Sequence, residues 1–216
     1  MKTSLIITTY NNKEYLYLSL LSVLQQSRLP DEVIVADDGS SDGTSEMLAD
    51  LQQDFAVPLK HSWQEDNGFR AAASRNKAIA ESSFGYIVLI DGDMLLHKDF
   101  IKEHIKHAKT NHYIQGARIL LNPALTQRII DTKQIPKIYW FSKNIHNRIN
   151  AVHSDFLSSL LSKTNQSYKG IKTCNMSFFK KDCIAVNGFN EDFTGWGRED
   201  SEFIMRLYHL GIQRRN

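Results

Sequence analysis

The sequence is short of the residues that would define several classes of protein. It has two cysteines, Cys174 and Cys183, in 216 residues. Two are too few for a disulfide framework, and a reduced, cytoplasmic setting is expected, with the inner face of the membrane as the alternative. No apolar run approaches the ~20 residues of a membrane-crossing helix. The stretch Leu5-Ile6-Ile7 behind Lys2 is too short for a signal-peptide core. No linker rich in proline or glycine divides the chain, and no repeat is visible. Charge of either sign is nearly balanced, 26 Lys and Arg against 24 Asp and Glu, so a bulk nucleic-acid partner is not expected.

What remains is the composition of an ordinary soluble domain. A chain of this length can bury roughly 70% of its unfolded surface, enough for a sheet covered by helices. Residues 3–9 form a β-rich run that stops at Tyr10-Asn11-Asn12. Leu16, Leu20, Val23 and Leu24 then share a helical face that ends near Gln26-Ser27, before Pro30. Residues 32–36 read as a buried strand, broken by Asp37-Asp38-Gly39-Ser40-Ser41-Asp42-Gly43. Met47, Leu48 and Leu51 return to helical spacing, residues 57–63 suit a third strand, and the Ala-rich 70–80 a helix. Residues 86–90 are a continuous apolar strand ending at Asp91-Gly92-Asp93. This rhythm predicts an α/β fold with a mixed, mainly parallel sheet flanked by helices.

The later part is less regular. Ile101, Ile105 and Ala108 predict a helix, residues 174–179 a strand, and residues 198–210 a helix stopped by Gly211. Residues 135–163 mix bases, aromatics and aliphatics without a clean period, and part of them is expected to be helical. One domain, 1–216, is expected, its 99–216 half completing the core begun by its 1–98 half.

Open α/β sheets take ligands beyond the carboxyl ends of their parallel strands. Thr8-Thr9-Tyr10-Asn11, Asp37-Asp38-Gly39-Ser40 and Asp91-Gly92-Asp93 all fall there. Taken singly, each is an ordinary turn or helix start. Converging on one edge, they make a site. Residues two apart on an extended segment face one side, so Asp91 and Asp93 can face one ion, with Gly92 leaving room for a ligand. Hard oxygen donors suit Mg²⁺ or Mn²⁺.

These segments resemble the family 2 glycosyltransferases with the GT-A fold, a Rossmann-like nucleotide-diphospho-sugar transferase architecture. The resemblance is carried by Leu5-Ile6-Ile7-Thr8-Thr9-Tyr10-Asn11, the Val33 to Thr44 block, Asn67-Gly68-Phe69-Arg70-Ala71-Ala72-Ala73-Ser74-Arg75-Asn76, and Leu89-Ile90-Asp91-Gly92-Asp93. It continues from Asn175-Met176-Ser177 to Gly195-Trp196-Gly197-Arg198-Glu199-Asp200, which is similar to the galactosyltransferase-type C-terminal segment. It implies that Thr8, Thr9 and Tyr10 line a nucleoside pocket and that Asp38, with Asp37 beside it, accepts from the base. An acceptor-only carboxylate at a ring N–H favours uracil. Arg70 is then expected near the base or diphosphate, with Arg75 a weaker candidate whose plain alternative is a solvated helix face. Asp93 is implied as the direct metal ligand and Asp91 as the ribose or water-bridged contact.

Trp196 offers a plate for a sugar face, Asp200 a general base and Glu199 an acceptor contact, with Asn175 a further contact to acceptor or donor sugar. The purely structural alternative for Glu199 and Asp200 is the first turn of a helix, where acids suit the macrodipole. The implied reaction moves a hexose or N-acetylhexosamine from a UDP-sugar to a glycan or lipid-linked acceptor, with inversion. Galactosyltransferase-type relatives supply a histidine metal ligand after the Glu-Asp pair. His209 is too close in sequence, so the natural chain is expected to continue, or the metal site to be completed otherwise.

A sugar nucleotidyltransferase would need a Gly-rich loop after the first strand, and residues 8–12 contain no glycine. A non-catalytic sugar-nucleotide or glycan-binding module is the alternative of a different class. A peripheral membrane role for Lys137, Tyr139, Trp140, Phe141, Lys143 and Arg148 ranks below acceptor binding or ordinary packing.

Overall fold

The computed structural model describes residues 1–151, 164, 165, 167, 170–195 and 197–215. The first half alternates strand and helix: β1 (Thr3–Thr9), α1 (Lys13–Leu24), β2 (Glu32–Asp37), α2 (Thr44–Gln52), β3 (Leu59–Trp63), α3 (Ala71–Glu81), β4 (Tyr86–Asp91) and α4 (Phe100–His107). The second half adds β5 (His112–Gln115), a small hairpin of β6 (Leu120–Leu121) and β7 (Ile145–His146) around α5 (Pro123–Thr132), then β8 (Thr164–Asn165), β9 (Asn175–Phe179), α6 (Lys180–Ala185), α7 (Glu199–His209) and β10 (Gln213–Arg215). The described strands form one sheet in the order β3-β2-β1-β4-β9-β5-β10-β8, with the β6–β7 pair separate. β1 to β4 are mutually parallel, and β9 runs antiparallel between β4 and β5.

The strand pattern explains the layers. Leu5 and Ile7 face the side covered by α1, α2 and α4, through Leu16, Leu20, Leu48 and Ile101. Ile6 faces the other side, where α3, α6 and α7 bring Ala78, Ile79, Cys183, Phe203, Ile204 and Leu207. Both faces are covered, so β1, β2 and β4 have continuous apolar centres instead of alternating with polar residues. Each fully buried Leu or Ile contributes about 1.5–3 kcal/mol. Late helix α7 thus packs on the same face as early helix α3.

Expected elements differ from observed ones mainly in the later half. β5, α5 and β10 were not legible: two of them are strands of three or four residues with polar ends, too short to show a period. No helix stands in 135–147; a 3-10 turn at Arg148–Ala151 is the nearest, and 152–163 lie outside the described residues. No helix among the described residues is long and apolar enough to cross a membrane.

The amino-terminal edge of the parallel strands is closed by one buried carboxylate. Glu32 accepts from Ser4 Oγ at 2.6 Å, Lys60 Nζ at 2.6 Å, and Ser83 N and Oγ at 2.6 and 2.9 Å. Burial works to raise its pKa, but these donors outweigh it and the group ends below the ordinary carboxylate range.

Candidate active site

The opposite edge gathers the polar exits. Strand register places Thr8 beside Asp91 and Thr9 beside Asp37. The pairing continues one step further, with Asp38 N donating to Thr9 O at 3.1 Å and Gly92 N to Thr8 O at 2.7 Å. Because β9 enters antiparallel with Asn175 opposite Ile90, its start lies at this edge too. A helix contributes the rest: α7 begins at Glu199, so Glu199 and Asp200 both lie in its first turn.

One guanidinium joins these elements. Arg75, on α3, lies 3.2 Å from Glu199 Oε1 and 3.3 Å from Asp200 Oδ1 through Nη1, and 4.0 Å from Asp91 Oδ1 through Nη2. Its carbon also sits over the Phe189 ring at 5.5 Å. Arg75 is 6% exposed, so the solvated-face alternative fails. The Ala-rich start of α3 explains its depth: Ala72, Ser74 and Ala78 are buried and small, which seats the helix close to the sheet. The sequence signals the depth of Arg75 only weakly, through the run of small side chains Ala71-Ala72-Ala73-Ser74 that precedes it. Thr173 gave no signal, yet it donates N–H to Asp200 Oδ2 and its hydroxyl to Oδ1, both at 3.0 Å.

The cluster is incompletely satisfied. Arg75 Nε and Glu199 Oε2 are buried without a hydrogen-bond partner among the described residues. Burial holds the Asp200 carboxyl above the ordinary range, with Arg75 and the Thr173 N–H opposing and Glu199 adding to it. Burial likewise raises Asp91; Arg75 opposes, and Asp93, Thr8 and Asp200 act after it, Thr8 lowering and the two carboxylates raising. Unpaired buried groups and raised carboxylates gathered at the sheet edge that takes ligands mark a candidate site.

The Asp91-Gly92-Asp93 exit differs from the extended geometry expected of it. Asp91 ends β4, and Gly92-Asp93 enter a turn closed by Met94 N to Asp91 O at 3.2 Å. Gly92 is small because a Cβ would meet Thr8 O at 2.8 Å, which replaces the expected role of making room for a ligand. Asp93 is exposed, and the Asp91 side chain is 37% exposed and bonded to Thr8 Oγ1 at 3.1 Å. Two hard carboxylates at an open edge fit a small divalent ion that keeps waters and takes substrate phosphates. Three or more His, Cys, Asp or Glu grouped for a metal do not occur among the described residues.

On the β1–β2 side, Asp38 Oδ2 accepts from Arg70 N at 2.7 Å and Oδ1 from Gln64 Nε2 at 2.6 Å. Burial raises its pKa against these donors. Gly39 has φ +97°, and a Cβ there would lie 2.5 Å from Asp66 N, so the turn admits only glycine. Tyr10 is exposed and donates to Asp66 Oδ2 at 2.9 Å. Arg70 caps α3, with its Nε buried and unpaired, and Thr9 Oγ1 is likewise unpaired.

Two expected contacts are committed elsewhere. Asp37 is fully buried, holding Ser40 N at 2.8 Å and His61 Nε2 at 2.8 Å. Burial acts to raise it, the His61 and Ser40 bonds prevail, and it lies below the ordinary range. Asp37 therefore shapes the turn and presents no oxygen to a ligand. Asn175 is 6% exposed, with Oδ1 on His104 Nε2 at 3.0 Å and Nδ2 on Ala117 O at 2.8 Å. His104 is itself buried, and burial lowers its pKa to about 4, so it stays neutral. Asn175 locks the edge in place instead of projecting from it. Trp196 lies outside the described residues. Its neighbour Gly195 donates to Phe69 O at 3.1 Å, tying that loop to the segment before Arg70. Arg198, at φ 75°, holds a left-handed backbone just before Glu199.

An open sheet whose carboxylate-rich exits face a second carboxylate pair is a candidate ligand site at the carboxyl ends of its parallel strands. Residues 4–168 match the family model described as glycosyl transferase family 2, and the chain belongs to that family. Residues 157–215 match a model described as the N-terminal domain of galactosyltransferase. Chondroitin synthase of Escherichia coli is 26% identical over 231 residues, covering 99% of this chain and 33% of that protein. Hyaluronan synthase of Pasteurella multocida is 28% identical, covering 96% of this chain and 23% of that protein. The glycosyltransferase YfnE of Bacillus subtilis is 29% identical over 98% of this chain and 62% of its own. The chain thus spans between 23% and 62% of the length of these relatives.

Among solved structures, a mannosyltransferase from Pyrobaculum calidifontis in complex with GDP-Man and Mn²⁺ aligns with TM-score 0.64 and 19% identity, over 99% of this chain and 53% of that one. TarS 1-349 of S. aureus in complex with UDP-GlcNAc aligns with TM-score 0.63 and 19% identity, over 100% and 55%. Both likenesses establish the GT-A fold.

Proposed function

We propose that this glycosyltransferase moves a hexose or N-acetylhexosamine from a UDP-sugar to a hydroxyl of a glycan or lipid-linked acceptor, with inversion and with Mn²⁺ or Mg²⁺. The observation that carries the reading is Arg75, which draws Asp91 from the donor side and Glu199 and Asp200 from the acceptor side onto one guanidinium. Asp93 and Asp91 would hold the metal, which when bound neutralises charge on the departing diphosphate. A nucleotide sugar in both similar structures, and Mn²⁺ in the mannosyltransferase, support that choice. Residues 1–98 hold the donor, Thr8, Thr9, Tyr10, Asp38 and Arg70 among them; residues 99–216 shape the acceptor face.

In the reaction the acceptor hydroxyl oxygen attacks the anomeric carbon while the bond to the diphosphate oxygen breaks. Asp200 takes the hydroxyl proton on the face opposite the leaving group. Thr173 and Arg75 fix the carboxylate's orientation. Its raised pKa makes it a better proton acceptor than an ordinary aspartate. Glu199 offers its unpaired Oε2 to an acceptor hydroxyl.

Calorimetry with uridine diphosphate tests the donor side. Binding is expected to tighten with Mn²⁺ in the wild type and to lose that gain in Asp93→Ala. Equal affinity with and without the ion, or in both proteins, overturns the metal assignment.

A further inference from the structure

We infer that the turn at residues 139–142 and the neighbouring Arg148–Ala151 segment form a docking surface for an anionic lipid bilayer, set beside the transfer site. The turn is ordered by two bonds across it: Ser142 N donates to Tyr139 O and Tyr139 N to Ser142 Oγ, both at 2.9 Å. These hold three aromatic rings outward. Tyr139 and Phe141 stack at 5.2 Å and Trp140 meets Phe141 edge-on at 5.7 Å. Exposure is 50% for Tyr139, 60% for Trp140, 63% for Phe141 and 83% for Ile149. Trp140, Phe141, Arg148 and Ile149 line a cavity of about 470 Å³. Among the described residues these side chains are not packed into the core, the plainer expectation for this stretch.

Charge decides the occupant. Residues 132–151 contain no Asp or Glu and carry Lys133, Lys137, Lys143 and Arg148. Lys137, Lys143 and Arg148 are exposed, and Lys133 lies over the Tyr17 ring at 5.0 Å. Rings with tryptophan and tyrosine ends, an open aliphatic chain and surrounding cations match the headgroup level of a negatively charged bilayer. The lack of carboxylates in the stretch and the open aliphatic chain of Ile149 both suit such a surface.

Placement adds the reason for such a surface. Leu121 pairs with Ile145 in the β6–β7 hairpin, and Asn122 N donates to Asn144 O at 2.9 Å. Asn150 Nδ2 donates to Arg118 O at 2.9 Å, and Arg118 Nη1 reaches Cys174 Sγ at 3.2 Å, next to Asn175 at the site edge. The segment that carries the rings is thus tied to the start of β9, the strand that enters at the site edge. The inference deepens the proposed function by giving the acceptor's support, a lipid-borne hydroxyl, but its test reads membrane binding alone.

Cosedimentation of the chain with vesicles of phosphatidylcholine, alone or mixed with phosphatidylglycerol, decides it. The wild type is expected to bind the mixed vesicles, and less so as salt rises. Trp140→Ala with Phe141→Ala should weaken binding on the order of tenfold or more. Lys137→Gln with Lys143→Gln should weaken it about 25-fold, at roughly fivefold per cation. Lys102→Gln with Lys109→Gln, exposed cations outside the patch, should bind as the wild type does. All these side chains are exposed, so melting temperatures should stay unchanged and uridine diphosphate binding should be kept in every variant. The inference is overturned if the wild type binds neither vesicle, if it binds both equally, or if the ring variant binds like the wild type. Binding of a soluble oligosaccharide, or self-association in gel filtration, that the ring variant abolishes while vesicles are ignored would assign the patch to that occupant instead and overturn it equally.

Discussion

Two carboxyl clusters close opposite ends of the same parallel strands, and they are held in opposite ways. At the amino-terminal edge Glu32 receives four hydrogen bonds, one from the Lys60 ammonium, and its pKa lies below the ordinary range. At the carboxyl-terminal edge Asp91, Glu199 and Asp200 share the single Arg75 guanidinium, and Asp91 and Asp200 lie above that range. The first arrangement favours the folded state. The second leaves charge undercompensated and lone pairs open, which costs stability and suits groups meant to meet a ligand.

The largest effect is expected from Arg75→Ala. It strands two carboxylates, Glu199 and Asp200, with side-chain exposures of 8% and 22%. Removing one partner of such a buried group costs about 3–5 kcal/mol, and transfer should be lost with it. Urea denaturation checks the first and a donor-consumption assay the second. Stability within about 1 kcal/mol of wild type would show that the guanidinium does not hold this end together.

Glu32→Ala comes next. About 3 kcal/mol is expected, the low end for a buried pair because Lys60 is 38% exposed. The folded fraction should keep its donor affinity, since Glu32 lies at the other end of the strands. The sign of the pH effect follows from the lowered pKa. Stability from Glu32 is complete above its ordinary value of 4.5 and is lost as pH falls through the lower folded value. Acid denaturation of the wild type should therefore steepen below about pH 4.5, and Glu32→Gln should flatten that limb. An unchanged limb would remove Glu32 from the account.

Much of this contrast could be read before the fold was known, but unevenly. The strands β1, β2 and β4 declared themselves as apolar runs because both faces are covered, and their polar exits therefore marked the edge at which the candidate site gathers. Thr8, Asp38, Asp91, Asp93 and the Glu199-Asp200 pair follow from that position and the family resemblance together. What did not show was pairing across long separations. Arg75 meets Asp200 across 125 residues and Thr173 meets it across 27, and no local period encodes such contacts. For the same reason Asp37 looked like a ligand contact, although His61, from the neighbouring strand, already occupies it. Asn175 looked free until α4 supplied His104. Gly92 was legible as a required glycine, but the cause, the Thr8 carbonyl, lies on another strand. At the opposite edge Glu32, Ser4 and Ser83 begin or precede strands and gave no sign of meeting, since each is an unremarkable polar residue in its own segment.

The most direct test measures melting temperature, uridine diphosphate affinity and sugar transfer on one preparation of Asp200→Asn. The substitution keeps the shape and removes a carboxylate whose charge is disfavoured where it stands. The account predicts a melting temperature at or above wild type, near-normal nucleotide affinity, and transfer reduced by roughly 10²-fold or more, the usual effect of a positioned base. In the wild type, transfer should fall with acid through a pKa above the ordinary aspartate value of 3.8, because the base must be unprotonated to accept. A variant that melts well below wild type while keeping its transfer rate would contradict the account, and Asp200 would then be a structural carboxylate like Glu32.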